Sequence, residues 1–455
     1  MRGRWFPILC QCVLVGTIAA CGAGPGKATA PRTGASAETA GQSPGAENAV
    51  AAGEEKQGQG PLQLSPDGKQ YFDAGVLAGA NGRLAQAEQA FLKVTDTDPD
   101  APQPYYNLGV VYERRGADLK ALNHYRQSIR KKGDYLPALS AAARLLLRYG
   151  KKEEAIQLVR AAGDRNGADV EILVLYADVL TMCEKYDEAI RVAKKALRID
   201  ERHAGAMLQI GKANLKMGRL ELAESIFNQV MTINDHIAEV YFLSGLLELK
   251  KGFRILAIKK FEKAIELNPF YPEALNNLAL EYMLAGNYGD AVELLERAIQ
   301  ITPSWGLLYL NYGNALRGAG KWKRALAALT RAGKMLSDSP AVTFNLAVLY
   351  YAADELGGLN RVSRLKKSRE LFSRYTAQKG ATLSPDDDAI KYIKELDLLI
   401  DREQVRVQRQ KEADEREKQR STHKSTTAKP SENGNTGTGS PETDDWKNAD
   451  DDGWE

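Results

Sequence analysis

Cysteine is nearly absent where a fold would use it. Of four in 455 residues, Cys10, Cys12 and Cys21 crowd the first 21 positions, leaving Cys183 alone in the rest. One thiol closes no disulfide within the chain and builds no four-cysteine zinc site, so neither staples this fold. Histidine is equally scarce. His124, His203, His236 and His423 include no two at ligand spacing, which argues against metal-dependent catalysis. Nor is one charge in surplus: 62 Lys and Arg against 59 Asp and Glu give a formal +3, far from the basic balance of nucleic-acid binders. With 27% charged and 44% apolar residues, the composition is that of a soluble chain and excludes a polytopic membrane protein.

Residues 1–20 carry Arg2 and Arg4 and then the apolar run Trp5 to Ala20. A basic start before a short apolar stretch reads as a secretory signal, too short to span a bilayer comfortably. Its end, Ile18-Ala19-Ala20-Cys21, resembles the bacterial lipobox. The resemblance implies a diacylglyceryl thioether on Cys21, cleavage before it and acylation of the new amine. More than one acyl chain anchors stably, because each buried CH₂ contributes ~0.8 kcal/mol. Gly22 stands where inner-membrane lipoproteins usually carry Asp, so the resemblance leans to the outer membrane, facing the periplasm. Loss of Arg2 and Arg4 would leave the mature chain close to neutral. After Cys21, residues up to 64 are rich in Gly, Ala, Ser, Pro, Gln and Glu. Such a segment reads as a disordered tether with a reach of about 35–40 Å. Its Gly22–Gly26 run is no phosphate loop, lacking a strand before it and a helix after it.

The strongest signal is a period. Ala87, Ala121, Ala155, Ala189, Ala223, Ala257, Ala291 and Ala325 follow one another at intervals of 34 without insertion. Four residues after each comes a larger, mostly apolar side chain: Phe91, Tyr125, Val159, Ala193, Phe227, Phe261, Leu295, Leu329. Twelve residues before each lies Gly or Ala, from Gly75 to Gly313, and Pro99, Pro269 and Pro303 fall twelve after theirs. Internal repetition at this length means stacked supersecondary units.

The pattern resembles the tetratricopeptide repeat. Residues 102–135 show Tyr105, Leu108, Gly109, Tyr112, Ala121, Tyr125 and Ser128; residues 272–305 show Leu275, Leu278, Ala279, Tyr282, Ala291, Leu295, Ala298 and Pro303. Eight repeats run from 68 to 339, and a ninth begins at 340 with its second-helix residues Ser368 and Phe372 nine positions late. The predicted fold is all-α, a superhelical solenoid of about nine helix-turn-helix repeats over 65–383. Small residues at repeat positions 8 and 20 mark close helix approach, where a larger side chain would overpack by about 1–3 kcal/mol. Each pair leaves faces for its neighbours to cover, so stacking supplies the core.

Both ends of the array are marked. Ser65-Pro66-Asp67 offers an N-cap, a Pro at the first helical position and an acid at the positive pole. The same device at Ser384-Pro385-Asp386 is expected to start a capping helix with Ile390, Ile393, Leu396, Leu399 and Ile400 on one face. That helix continues as a charged extension to 420, and 421–455 reads as a disordered acidic tail. The array carries 45 Lys and Arg against 36 Asp and Glu, the tail 3 against 8. Trp446 and Trp454 among the tail's acids resemble a short linear motif that docks on a partner or on the array itself.

Catalytic signatures are weak, and no enzyme, cofactor or metal is expected. Ser363-Arg-Leu-Lys366 has no Lys-Thr-Gly behind it, and Asp96-Thr-Asp-Pro-Asp100 lacks the Gly and Glu of a calcium loop. Candidate binding residues follow from the family's geometry, which places positions 2, 5, 6, 9, 12 and 13 on the concave groove. Position 6 reads Asn107 in repeat two and then Asn277, Asn311 and Asn345 in three consecutive repeats, with Asn276 and Asn314 beside them. Related arrays hold an extended peptide with such a ladder, since an amide both donates and accepts. Phe242, Leu243 and Leu246, with Leu208 and Leu249, suggest an apolar stretch of groove for a hydrophobic segment; placement in the core between repeats is the alternative.

Together the resemblances imply a lipid-anchored scaffold that binds envelope proteins and helps assemble or localise a bacterial cell-envelope machine, most like the gliding-motility lipoproteins. The expected contacts are proteins and, through the lipid, a membrane, with no nucleic acid and no small-molecule substrate. A pilotin-like factor for secretin or type IV pilus assembly and an adaptor of a peptidoglycan enzyme are the alternatives.

Overall fold

The computed structural model describes residues 64–165 and 169–427. These form nineteen α-helices and one short 3-10 turn, with no strand among the described residues. The first helices of repeats two to nine begin at Pro102, Leu136, Val170, Ala204, Ala238, Pro272, Gly306 and Pro340. The second helices of repeats one to eight begin at Leu84, Asp118, Lys152, Tyr186, Leu220, Arg254, Tyr288 and Trp322. Both series advance by 34, so the all-α solenoid read from the alanines is the fold observed.

Packing explains the period. All eight alanines at position 20 are closed to solvent. The small residue at position 8 lies beneath the large one at position 24 of its own repeat. A Cβ on Gly109 would fall 2.4 Å from the Tyr125 ring, and on Gly211 or Gly245 2.5 Å from Phe227 or Phe261. Where position 8 is Ala, in repeats three, four and seven, position 24 is Val159, Ala193 or Leu295 instead of an aromatic. A Cβ at position 8 goes with a side chain smaller than an aromatic at position 24, as close packing between the two helices requires. Most turns within repeats use a left-handed glycine, such as Gly252 at φ 86°; repeat four places Glu184 there at φ 66°.

The array's start is stapled as well as capped. Ser65 Oγ accepts from Gly68 N at 3.1 Å, and the Asp98 carboxylate accepts from both Ser65 N and Ser65 Oγ at 2.8 Å. Asp98 therefore serves the helix start of its own repeat. In repeat nine the second helix (Arg361–Lys379) begins late because 353–360 form an inserted turn, closed by Leu356 and Leu359.

The end of the array departs from expectation in two ways. The capping helix begins at Asp388, with Pro385 and Asp386 in a turn, so Ser384 is not its N-cap. Asp387 takes that role: one carboxylate oxygen accepts from Ala389 N at 2.9 Å and the other from the Tyr375 hydroxyl at 3.1 Å. This ties the helix start to the preceding helix, which Ser384 could not do. Ala389, Leu396 and Ile400 then close over Ala347, Leu365, Phe372 and Tyr375. The helix runs on to Thr427, so residues 421–427 are helical.

Candidate polypeptide-binding groove

The first helices of successive repeats line up, and their positions 5, 6, 9, 12 and 13 recur along one face. The amides predicted for that face are there, but drawn inward. Asn107, Asn276, Asn311 and Asn314 are buried, while Asn277 and Asn345 are half-buried. Asn107, Asn277 and Asn345 donate to the carbonyls of Gln103, Glu273 and Ala341 one turn back on their own helices, at 2.8–3.1 Å. Asn311 instead bridges repeats, its Nδ2 donating to Asn276 Oδ1 at 2.8 Å. The ladder's donors are thus engaged with the chain itself. Buried oxygens nevertheless lack a donor at Gln209 Oε1, on the same row in repeat five, and at Asn314 Oδ1. A closed, unpaired amide oxygen is costly, and a polypeptide N–H is its natural complement.

The apolar groove is a correction. Phe242 and Leu243 are buried, as is Leu208, and Leu246 and Leu249 pack partly buried against the same core. The Phe242 ring lies 5.9 Å from Phe261 and 5.0 Å from Tyr271, so it fills the space within repeat six and toward the next repeat. These side chains seal the stack; they do not line an open site for a hydrophobic segment. Cys21, Trp446 and Trp454 lie outside the described residues.

Charges on this face went unnoticed in the sequence. Lys212 Nζ lies 2.6 Å from Asp178 and 3.4 Å from Glu239, linking the first helices of repeats four, five and six. Burial alone would push Lys212 down; the two carboxylates outweigh it and hold its ammonium above the ordinary value. Lys216, one turn on, has no ion pair among the described residues and is pushed down by burial, then by Lys250 and Lys212. Glu273 is pushed up by burial and by Glu239. The signal for Lys212 was present, because Asp178 and Lys212 occupy position 9 of adjacent repeats. Cys183 caps a helix, buried, and burial pushes its thiol up; that disfavours the reactive thiolate. Among the described residues no three His, Cys, Asp or Glu side chains group to hold a metal, and no helix is long and apolar enough to cross a membrane.

Antiparallel helix pairs stacked at a fixed period define an α-helical solenoid, a class that presents one extended face along its length. Models of the tetratricopeptide repeat match residues 72–136, 140–201 and 310–381 in one form, 184–241 in a second and 272–305 in a third. They cover more than half of the sequence, and the chain belongs to the tetratricopeptide-repeat family. That repeat typically builds non-catalytic scaffolds that bind proteins, and the matching models include no catalytic family. Among relatives, the BBSome complex member BBS4 homolog of Drosophila melanogaster is 24% identical over 383 residues, 72% of this chain and 76% of its own. A tetratricopeptide repeat-containing protein of Methanocaldococcus jannaschii is 22% identical over 346 residues, 70% of this chain and 56% of its own. Among solved structures, the APC/C hetero-tetramer Cut9-Hcn1 superimposes with a TM-score of 0.49 at 14% identity, covering 74% of this chain and 65% of that one. MamA gives 0.31 at 26% identity over 36% of this chain and 91% of its own.

Proposed function

We propose that this chain is a scaffold that holds extended segments of partner proteins along its first-helix face. It does so from a membrane surface, moored by acyl chains on Cys21, in the assembly or localisation of a bacterial cell-envelope machine of the gliding-motility kind. The observation that carries the binding role is the row of amides in repeats seven to nine. Asn276 and Asn311 are coupled across a repeat boundary, and the buried Asn314 oxygen awaits a donor. An amide row reads a peptide unit whatever its side chain, which suits a scaffold that binds by backbone. Membership of one relative in a named complex, the BBSome, supports work within assemblies. The sequence Ile18-Ala19-Ala20-Cys21-Gly22 supports the lipid anchor and an outer-membrane, periplasm-facing site.

The test is crosslinked capture from bacterial envelopes combined with membrane fractionation. The native chain is expected in the outer membrane with motility components crosslinked to it, and Cys21→Ala in the soluble fraction. Replacing Asn277, Asn311 and Asn345 with Ala should weaken capture by about tenfold, a loss of ~1.4 kcal/mol, with helicity retained by circular dichroism. Unchanged capture would reject the amide ladder. Recovery of secretin or pilus proteins, or of a peptidoglycan enzyme, would replace motility with the pilotin or adaptor role.

A further inference from the structure

The second helices of repeats eight and nine carry almost one sign of charge. Trp322–Met335 holds four Lys and Arg and no acid, and Arg361–Lys379 holds seven against Glu370 alone. No Asp or Glu occurs from Arg297 through Ser337. The two helices share a register: Ala325 and Leu329 on the first, and Ser368 and Phe372 on the second, are closed to solvent at the same spacing. Lys366, Lys367 and Arg374 therefore stand where Lys323, Arg324 and Arg331 stand one repeat earlier. Positions 18 and 19 of repeats three and four hold acids instead, Glu153 and Glu154, then Asp187 and Glu188. The second-helix face thus changes sign toward the end of the array. Arg317 is not part of it. On the first helix of repeat eight, near Tyr288 and Tyr392, its guanidinium is pushed down by burial, and its Nε has no acceptor.

Arginine and lysine fare differently on this face. Arg324 reaches Glu296 and Arg369 reaches Asp397, while Arg361 and Arg374 lie 4.0 and 3.5 Å from Glu403 and Asp338. Lys321, Lys323, Lys334 and Lys366 are exposed and have no ion pair among the described residues. A face of one sign draws an anionic partner. An ammonium on a flexible stem asks for no fixed fork geometry, so these lysines suit an irregular acidic segment. The chain supplies one. Residues 428–455 hold eight Asp and Glu against two Lys, and seven of the eight acids fall from Glu442 onward, around Trp446 and Trp454. The distances allow the contact. The capping helix meets Arg361 through Glu403 and runs from there to Thr427, about 35 Å at 1.5 Å per residue. An extended chain leaving Thr427 covers about 50 Å by Glu442, enough to turn back over that length.

We propose that residues 442–455 dock on the second-helix face of repeats eight and nine of their own chain, setting Asp444, Asp445 and Asp450 to Asp452 among Lys323, Lys334 and Lys366. The same lysines offer cations to the faces of Trp446 and Trp454. A tethered segment acts at an effective concentration in the millimolar range, so it excludes other acidic segments from this face until it is displaced. The contact lies on the second helices, apart from the first-helix groove, and does not depend on the reading of that groove.

The test is zero-length carbodiimide coupling of lysine amines to carboxylates in the full chain, read by mass spectrometry at Lys321 and Lys334. In the native chain both should couple to acids within 442–455. The yield should fall at least about fivefold between 50 mM and 500 mM salt. It should fall about as far in Lys323→Glu/Lys366→Glu, both exposed sites, with helicity checked by circular dichroism. Adding Asp444→Lys and Asp451→Lys to that variant should restore it. A yield unchanged by the reversal, coupling of the tail to Lys212, Lys216 or Lys250 of the first helices instead, or no coupling at all overturns the proposal. Nitrogen-15-labelled and unlabelled chains are coupled as a mixture. Products within one chain are expected, and products joining labelled to unlabelled chains make the occupant a second copy and overturn docking within the chain.

Discussion

Repeats two and three and repeat eight place an arginine near the same end of a first helix and treat it in opposite ways. Arg148 meets Glu113 at 2.7 Å and Asp118 at 3.4 Å, and Glu113 also accepts the Tyr125 hydroxyl at 2.8 Å. Arg317 meets no carboxylate on its own repeat. Yet the two regions are packed alike: Ala325 and Leu329 are as closed as Ala121 and Tyr125. Shape alone, a small residue under a large one, suffices to stack a repeat. Charge pairing is a local addition: Arg148 has it and, among the described residues, Arg317 does not, although Arg324 of repeat eight reaches Glu296 of the repeat before. An array whose cohesion does not depend on these charges can leave one of them uncompensated.

The largest test of that contrast removes the large residue at position 24 in each region. Leu329→Ala should cost about 2–5 kcal/mol and Tyr125→Ala about 3–5 kcal/mol in urea unfolding, with Tyr125→Ala the greater because it also strips a hydroxyl from Glu113. Equal costs would mean that the charged network adds nothing to the aromatic's packing. Next comes Glu113→Gln. Burial pushes Glu113 up, but the Tyr125 hydroxyl, Arg144 and Arg148 outweigh it and hold the carboxyl below its ordinary value. A depressed acid contributes stability above its unfolded value and loses it as pH falls through the folded one. The variant should therefore be less stable by about 1–3 kcal/mol at neutral pH, and the gap should close below about pH 4. A gap that stays constant into acid would show that Glu113 acts by shape.

Much of the fold was legible because it depends on spacing. Eight alanines in one register fix the repeat boundaries, and the exchange of Gly for Ala at position 8 as position 24 shrinks could be read from the same columns. Faces were harder. A helix turns about 100° per residue, so a small error in phase moves Phe242 and Leu243 from groove to seam, and only their contacts with Phe261 and Tyr271 show which it is. The start of the capping helix was missed because Ser384 and Asp387 both offer an oxygen, and the choice is made by Tyr375, distant in local sequence terms. Arg317 was half legible. The acid-free stretch from 297 to 337 is plain in the sequence, but Tyr392 joins it only through the fold.

The sign of an arginine substitution sharpens the comparison further. Arg148→Met removes the partner of a half-buried carboxylate and should destabilise by about 1 kcal/mol. Arg317→Met removes a charge that burial disfavours and should stabilise the free chain by a similar amount, about 1 kcal/mol. Parallel thermal melts decide it. Losses of equal size and sign would mean that Arg317 is satisfied within the chain and that the two regions do not differ.

The smallest effect lies with a second acid on the same face. Glu273, in the first turn of repeat seven's first helix, is pushed up by burial and by Glu239, the reverse of Glu113. Here the folded chain holds the proton more tightly than the unfolded one, so stability falls as pH rises from the ordinary carboxyl value through the folded value. Glu273→Gln should thus be neutral in acid and slightly stabilising at pH 7, by about 0.5 kcal/mol or less. Denaturant midpoints at pH 4 and pH 7 read the difference. A Gln variant less stable than the native chain at pH 7 would show that a cation, Lys212 foremost, compensates Glu273 and that the groove's acids are all of the Glu113 kind. A gain at pH 7 would mean that from repeat seven onward the face holds charges of both signs, Glu273 and Arg317, without partners of their own.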